Sequence, residues 1–455
     1  YVAARMLMAP RPSVALAEPF DVVGRNAPLV VNVKDEHGLA AARITVRQGG
    51  QEKVVLERTY DPPQAADLLR WEPAKDKSVR LQEGAGQVVV WVRNDSWGNF
   101  MRGRTVTLEK QFTARLTPPR VEVLTGQHYV NQGGCDVVVY KVTPREVDSG
   151  VQVGEVFFRG FALPGAADPS THFAVFCLPY DAAPGTSMQV KARDEAANES
   201  RASFWTKVFP RRFRSRELPL EDGFLNKVVS EIMSQTTGLE DRGSLLENYL
   251  QINRDLRRAN NEALARLTRS SRPAFLWSEP FRQLGSSQVE AQFADYRTYV
   301  YQGKPVDKQV HLGFDLATTS HAPVTAANDG LVVMAEFFGI YGNTVVIDHG
   351  YGLMSLYGHL SSFAVNKGDE VKRGQTVGNS GATGLASGDH LHFSMLYQDV
   401  QVDPREWWDP HWIHDRLAAK LAQFGNAAGP GKMAQAAASP TPAAAPGAAS
   451  PSAPR

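Results

Sequence analysis

The sequence predicts a multidomain, mainly β protein, and three observations carry that reading. A chain of 455 residues is too long for one ordinary core and asks for three or four domains. From about Glu18 to Thr206, and again from about Phe275 to Trp412, short apolar runs are cut by Gly, Pro, Asp and Asn at strand-and-turn spacing. Between these regions, from about Leu220, the apolar period becomes that of a helix.

Residues 1–17, which open on YVAARMLM, read as a leader or the remnant of a signal peptide or membrane anchor lying upstream. Beyond them, LVVNVKDEHGLAAARITVRQ and QVVVWVRNDSWGNF have the rhythm of strands with turns between. The segment VVVWVRNDSWGN, ending at Asn99, recurs in outline as MQVKARDEAAN, ending at Asn198. That offset is close to one immunoglobulin-like domain of ~100 residues. The expectation is therefore two tandem immunoglobulin-like β-sandwiches, residues 18–117 and 118–208, divided near Pro118 and Pro119. Their expected role is as spacers or docking modules, the latter for an envelope protein partner. The two cysteines, Cys135 and Cys177, fall in separate apolar segments of the second sandwich. A disulfide between facing strands would fit an oxidising compartment, and two buried free thiols fit the same segments.

Residues 209–274 read as a helical segment. Asp222 stands as N-cap before Leu225, Val228, Val229 and Ile232, and Ser244 with Glu247 forms a capping box ahead of Leu246, Tyr249, Leu250 and Leu256. The basic residues of QINRDLRRANNEALARL are interleaved with acids, so this run is a solvated face rather than a nucleic-acid helix. A helical hairpin is expected here, packed on a sandwich or covering the active site. A net charge of +1 with 21% charged residues leaves no footprint for nucleic acid. No stretch is long and apolar enough to span a bilayer as a helix.

Residues 275–412 read as an all-β domain. HAPVTAANDGLVVMAEFFGIYGNTVVIDHG gives successive hairpins turning at residues 328–330 and 341–343, and the architecture expected is a β groove with the chemistry on its floor. A short helix is expected over residues 413–424. The Ala/Pro-rich tail, residues 425–455, offers little to bury and is expected to be disordered.

Three stretches of this domain carry chemistry: HLGFD from His311 to Asp315, YGHLS around His359, and HLHFS from His390 to Ser394. In HLHFS, Leu391, Phe393 and Met395 alternate with the histidines, so His390 and His392 project from one strand face. His311 and Asp315, four apart, also share a face on an extended chain, and Gly313 leaves space there for a metal or another backbone. Two imidazoles and a carboxylate fill three corners of a zinc tetrahedron and leave the fourth for water. Eight of the eleven histidines fall between His311 and His414. Of these, His321, His349, His411 and His414 are expected not to ligate. Upstream, His37, His128 and His172 lie singly and read as surface or core residues.

The constellation of H-x-G-x-D, a lone histidine and H-x-H resembles the LytM/lysostaphin-type zinc endopeptidases, peptidase family M23. The resemblance runs from roughly Tyr296 to Trp408 and includes GNSGATGLASGDHLHF, GIYGNTVVIDHG and EWWD, with no motif position substituted. It implies that His311, Asp315 and His392 hold zinc and that His359 and His390 are the catalytic pair. These two would share proton transfer and oxyanion stabilisation, since the glutamate base of an HExxH motif is absent. Tyr341 and Tyr357 are weaker candidates for oxyanion contacts. The implied substrate is the peptidoglycan stem peptide, cut at the D-Ala to diaminopimelate cross-link, with an oligoglycine bridge as the alternative. The implied location is the cell envelope, periplasmic or anchored facing the periplasm. A scaffold that activates another wall hydrolase is the non-enzymatic alternative, and a structural adhesin built on the sandwiches is another. Autoinhibition by an upstream polar side chain is a further expectation to test. KGDEVKRGQTVG also resembles the lipoyl/biotinyl pattern, but that pattern requires a modifiable lysine at an exposed hairpin tip between two half-motifs, and none stands there.

Overall fold

The computed structural model describes residues 10–24, 28–96, 102–425 and 430. The first half of the expected leader and nearly all of the expected disordered tail lie outside the described residues. The chain divides into two compact units. One comprises Tyr1–Glu122, Val142–Ser149 and Val190–Ala202, and the other comprises Val123–Lys141, Gly150–Gln189 and Ser203–Arg455.

The first unit holds a six-stranded sheet in the order Ser13–Leu16, Leu29–Gln48, Gly84–Asn94, Thr105–Ala114, Val22–Val23, with Gln51–Trp71 paired to Leu29–Gln48. Ser13–Leu16 was expected to be leader. It is instead an edge strand, because Val14 and Leu16 alternate with the exposed Ser13 and Ala15 and pack against the core. LVVNVKDEHGLAAARITVRQ forms one continuous strand, Leu29–Gln48. Gly38 at φ +88° absorbs register shifts between Lys34 and Ala41. Val31, Val33, Ile44, Val90 and Val92 form the buried face.

In the second unit, residues 171–177 pair antiparallel with residues 135–141, which sets Cys177 directly opposite Cys135. The two Cα atoms are 4.0 Å apart and the side chains are bonded as a disulfide. Of the two readings open in the sequence, the structure adopts the bridge.

The segment read as helical from residue 209 opens with a strand, Ser215–Leu220, too short for its alternation to stand out. It pairs in parallel with Asp295–Tyr301, which runs antiparallel to Lys304–His311. Helix Asp222–Gln235 buries Leu225, Val228, Val229 and Ile232. Its N-cap is Glu221 rather than Asp222, whose Oδ1 accepts from the Tyr301 hydroxyl at 2.8 Å. Ser244 caps the next helix, accepting from the Glu247 backbone N–H at 3.2 Å. That helix runs from Leu245 through a π-helical turn, Ile252–Leu256, to Thr268.

An eight-stranded antiparallel sheet organises the C-terminal part. Its order is Gln288–Ala291, Phe314–Ala317, Leu391–Tyr397, Leu353–Leu360, Asn343–Gly350, Gly330–Phe337, Glu370–Val371, with Val400–Val402 beside Leu391–Tyr397. The two central strands, Leu391–Tyr397 and Leu353–Leu360, are buried at every position, so both faces of the sheet are covered. On one face lie His392, Ser394 and Leu396, opposite Gly358, Leu356 and Met354. Leu356, Met354 and Leu396 join Val346 in one core with Leu225, Val228 and Ile232 of the first helix and Tyr249, Leu250 and Leu264 of the second. Burial of each such aliphatic side chain contributes about 1.5–3 kcal/mol. The upstream helices therefore pack on the same sheet face that carries His392. Among the described residues, no helix is long and apolar enough to cross a membrane.

Candidate metal centre

His311 and Asp315 do not share one strand, contrary to the extended reading of HLGFD. His311 ends Lys304–His311, the strand is interrupted at residues 312–313, and Asp315 belongs to Phe314–Ala317, opposite His392. Gly313 permits the break. A Cβ there would stand 2.5 Å from Ser394 Oγ, 2.6 Å from the Phe393 carbonyl oxygen and 2.7 Å from His392 Cε1. The space below Gly313 is thus filled by the neighbouring strand, one of the two alternatives its position raised.

The break brings three donor atoms together. His311 Nε2 lies 2.9 Å from Asp315 Oδ1 and 3.0 Å from His392 Nδ1, and His392 Nδ1 lies 3.0 Å from Asp315 Oδ1. The outer atoms of each ring fix where its proton sits. His311 Nδ1 donates to the Gln292 carbonyl at 3.0 Å, which leaves Nε2 a lone pair. Ser394 donates its one hydroxyl proton to the Leu312 carbonyl at 2.8 Å. Its oxygen can then only accept from His392 Nε2, at 2.9 Å, which leaves Nδ1 a lone pair. The second carboxylate oxygen, Asp315 Oδ2, accepts from Arg297 Nη2 at 2.9 Å.

Three lone-pair atoms thus converge with no hydrogen among them. Burial also acts against charging either ring. Burial, opposed by Asp315, holds His311 below the ordinary imidazole value, and burial takes His392 down to about 4. Burial disfavours ionised Asp315, but His311 and the other imidazoles outweigh it and hold the carboxyl well below the usual range. An arrangement of one carboxylate and two neutral imidazoles, all buried and all presenting electron pairs to one point, fits a divalent cation.

His359 reaches the same place by a bulge. Leu356, Gly358 and the His392 side share a face, so strict alternation would send His359 to the other side of the sheet. Two residues, Gly358 and His359, oppose the single Thr344 between the pairs Val345 to Tyr357 and Asn343 to Leu360. His359 takes φ +63°, a left-handed conformation uncommon outside glycine, and its ring lies 4.9 Å from His390 and 5.8 Å from His392. Nδ1 of His359 donates to the Thr383 carbonyl at 2.8 Å, and Nδ1 of His390 donates to the Gly388 carbonyl at 2.9 Å. Each neutral ring therefore presents a bare Nε2, with that of His390 3.5 Å from Asp315 Oδ1. Burial, reinforced by His390 and His392, pushes His359 well below the ordinary value. Burial also acts downward on His390, but the Asp315 carboxylate overcomes it and raises this imidazole.

All five residues singled out in the sequence meet at this point. Other candidates do not. Tyr357 is buried on the opposite sheet face, its oxygen accepting from the Ala327 N–H and Ser355. The Tyr341 ring stands 5.4 Å from His392, but its hydroxyl is committed to Asn261 Oδ1 at 2.9 Å. His349 spans the Asp329 carbonyl and the Ser355 hydroxyl in the core. His321 is an exposed residue beside Asp389, and His411 and His414 are not buried. Two residues of the site escaped the sequence reading. Ser394, inside HLHFS, shares the face of His392 by its period of two, so the signal was there. Arg297 is brought in by pairing of Asp295–Tyr301 with Lys304–His311, which no local spacing announces.

The chemistry-bearing residues line a cavity of about 320 Å³ together with Leu218, Glu221 and Arg257 from the upstream strand and helices.

The model of peptidase family M23 matches residues 309–404. This chain carries an M23 peptidase domain. Peptidoglycan DD-endopeptidase ShyA of Vibrio cholerae is 46% identical over 101 residues, 22% of this chain and 24% of that one. DD-carboxypeptidase/endopeptidase Mpg of Neisseria meningitidis is 38% identical over 96 residues, 21% of this chain and 22% of that one. Murein hydrolase activator EnvC of Escherichia coli is 35% identical over 95 residues, 21% of this chain and 23% of that one. The matched segment spans about a quarter of the length of these curated relatives.

Proposed function

We propose that this chain is a zinc-dependent endopeptidase that hydrolyses peptide cross-links of peptidoglycan. The observation that carries the proposal is the convergence of His311 Nε2, Asp315 Oδ1 and His392 Nδ1 within 3.0 Å as three lone-pair donors. Those residues would hold the zinc ion. Bound there, zinc supplies Lewis acidity, polarising a peptide carbonyl and making water a stronger acid. The protein's own part is proton handling and orientation. His359 and His390 each offer a bare Nε2 to take a proton, each held by an Nδ1–H bond to a backbone carbonyl. Arg297 occupies Asp315 Oδ2, so that Oδ1 alone faces the site.

A D-Ala to diaminopimelate bond is the favoured scissile bond, supported by the names of the Vibrio and Neisseria relatives. A glycyl-glycine bond is the alternative. A scaffold role has one observation in its favour, the similarity to a murein hydrolase activator. Retention of all three donors weighs against it. We further read residues 18–117 and 118–208 as tandem immunoglobulin-like sandwiches that space the enzyme or dock an envelope partner. Asp222–Gln235 and the helix from Leu245 to Thr268 form a helical hairpin in this reading. The Cys135–Cys177 bridge supports a location in an oxidising envelope compartment such as the periplasm, anchored or free.

The test is mass spectrometry of cross-linked muropeptides incubated with the zinc-loaded chain. Conversion of dimers to monomers, lost in His390→Ala with zinc retained, is expected, and the product masses identify the bond. Zinc binding without cleavage, combined with stimulation of a separate wall hydrolase, would replace the enzyme by the activator.

A further inference from the structure

The upstream helices do more than cover the sheet. Arg257 opens the helix Arg257–Thr268, directly after the π-helical turn Ile252–Leu256, a local irregularity often found where side chains are placed for function. Its guanidinium donates from Nε to the Asn253 carbonyl at 3.1 Å and from Nη2 to Asn253 Oδ1 at 2.7 Å. Asn253 is fully buried and fixed in turn, giving Nδ2 to Asp307 Oδ2 at 2.7 Å.

Arg257 is therefore aimed by neutral acceptors and has no counter-charge. Among the described residues no carboxylate lies within 4.0 Å of it, whereas Arg297 is engaged by Asp315 and Arg254 by Asp307. Its Nη1 has no partner among the described residues. Arg257 and Arg297 together line two cavities. One is the 320 Å³ cavity of the five site residues, whose acids are Asp315 and the exposed Glu221. The other, of about 440 Å³, is bounded by Tyr180, Tyr296 and Lys308 and has no carboxylate in its wall. An ordered, uncompensated guanidinium between a peptidase site and a cationic cavity matches the planar, two-pronged geometry of a carboxylate.

We propose that Arg257 is a specificity-determining residue that binds a free carboxylate of the peptide substrate, borne by the carbon attached to the scissile amide nitrogen. This rests on the endopeptidase reading above. In a D-Ala to diaminopimelate cross-link that carbon carries a free carboxylate. Inside an oligoglycine bridge the same carbon carries an amide, so Arg257 selects against it. A linear peptide ending in D-Ala-D-Ala also places a carboxylate there, so the same contact admits carboxypeptidase substrates. The contact is made by a helix upstream of the matched M23 segment, and would therefore belong to this chain's own architecture.

The experiment is calorimetric binding of two probes to the full-length, zinc-loaded chain. One probe is a diaminopimelate stem peptide with a free carboxylate at that carbon, and the other is the same peptide with a carboxamide there. The wild type is expected to bind the carboxylate form about 10- to 100-fold more tightly, the range of a charge-assisted contact. Arg257→Gln should lose that preference while binding the carboxamide as the wild type does, which also establishes that it is folded. Arg257→Lys should recover part of the preference. A preference that survives Arg257→Gln, or no preference in the wild type, would overturn the assignment. Cleavage of cross-linked dimers by the same wild-type sample is read separately. Absence of cleavage with an Arg257-dependent preference would sink the endopeptidase reading and leave the carboxylate site, and cleavage without that preference would sink the carboxylate site alone.

Discussion

Ser394→Ala removes one hydroxyl and should weaken the metal site more than its size suggests. Ser394 is fully buried and joins His392 Nε2, at 2.9 Å, to the Leu312 carbonyl, at 2.8 Å. Its loss leaves a buried N–H and a buried carbonyl without that partner, at a cost of about 1–3 kcal/mol in stability. It also removes the bond that keeps the proton on Nε2 and the lone pair on Nδ1. Loss of such an outer partner costs about 10- to 100-fold in metal affinity, or about 1.4–2.7 kcal/mol. Competition between the protein and a zinc chelator at fixed pH measures the affinity, and urea denaturation of metal-free samples measures the stability separately. A Ser394→Ala variant with unchanged zinc affinity would mean that the His392 tautomer is not set by this contact, and the lone-pair argument for the site would fail.

Gly313→Ala should be destabilising by about 1–3 kcal/mol through overpacking, and should displace His392, because the added Cβ meets Ser394 and His392 at 2.5–2.7 Å. Zinc content after gel filtration checks it, and full occupancy at wild-type stability would contradict the packing described. Glu406, accepting from Asn131 and the Cys135 N–H, is pushed by burial from 4.5 up to about 7. The folded chain therefore holds this proton when the unfolded chain has released it. The associated stabilisation is fully present below pH 4.5 and is lost as pH rises to about 7, up to about 3 kcal/mol. Stability of the wild type relative to Glu406→Gln should accordingly fall between pH 4.5 and 8, and a flat difference in denaturation midpoint would refute the burial effect. Reduction of the Cys135–Cys177 bridge, which spans 42 residues, should cost about 4 kcal/mol if chain entropy dominates. Denaturation with and without a reductant reads it directly, and equal midpoints would show the bridge to be stabilising nothing.

What the sequence revealed was chemistry held in local spacing. His390 and His392 alternate with Leu391 and Phe393, and the buried stripe of Leu225, Val228, Val229 and Ile232 follows a helical period, so both were legible. His311 and Asp315 were found for a partly mistaken reason. They converge through an interruption of the strand at residues 312–313 and pairing with His392, not along one strand. His359 needed a bulge and a positive φ to reach the site, and alternation alone would have sent it away. Arg297 and Arg257 depended on long-range pairing and on helices folding back over the sheet, which have no signature of fixed offset. The strand Ser13–Leu16 was missed because four alternating residues are too few to separate from a leader.

The central claim is that His311, Asp315 and His392 form a zinc site and that His359 and His390 do not hold the metal. Elemental analysis of the purified chain, beside His311→Ala and His390→Ala, tests it most directly. The account predicts about one zinc per chain in the wild type and in His390→Ala, and none in His311→Ala. Zinc absent from the wild type, retained by His311→Ala or lost from His390→Ala would contradict it.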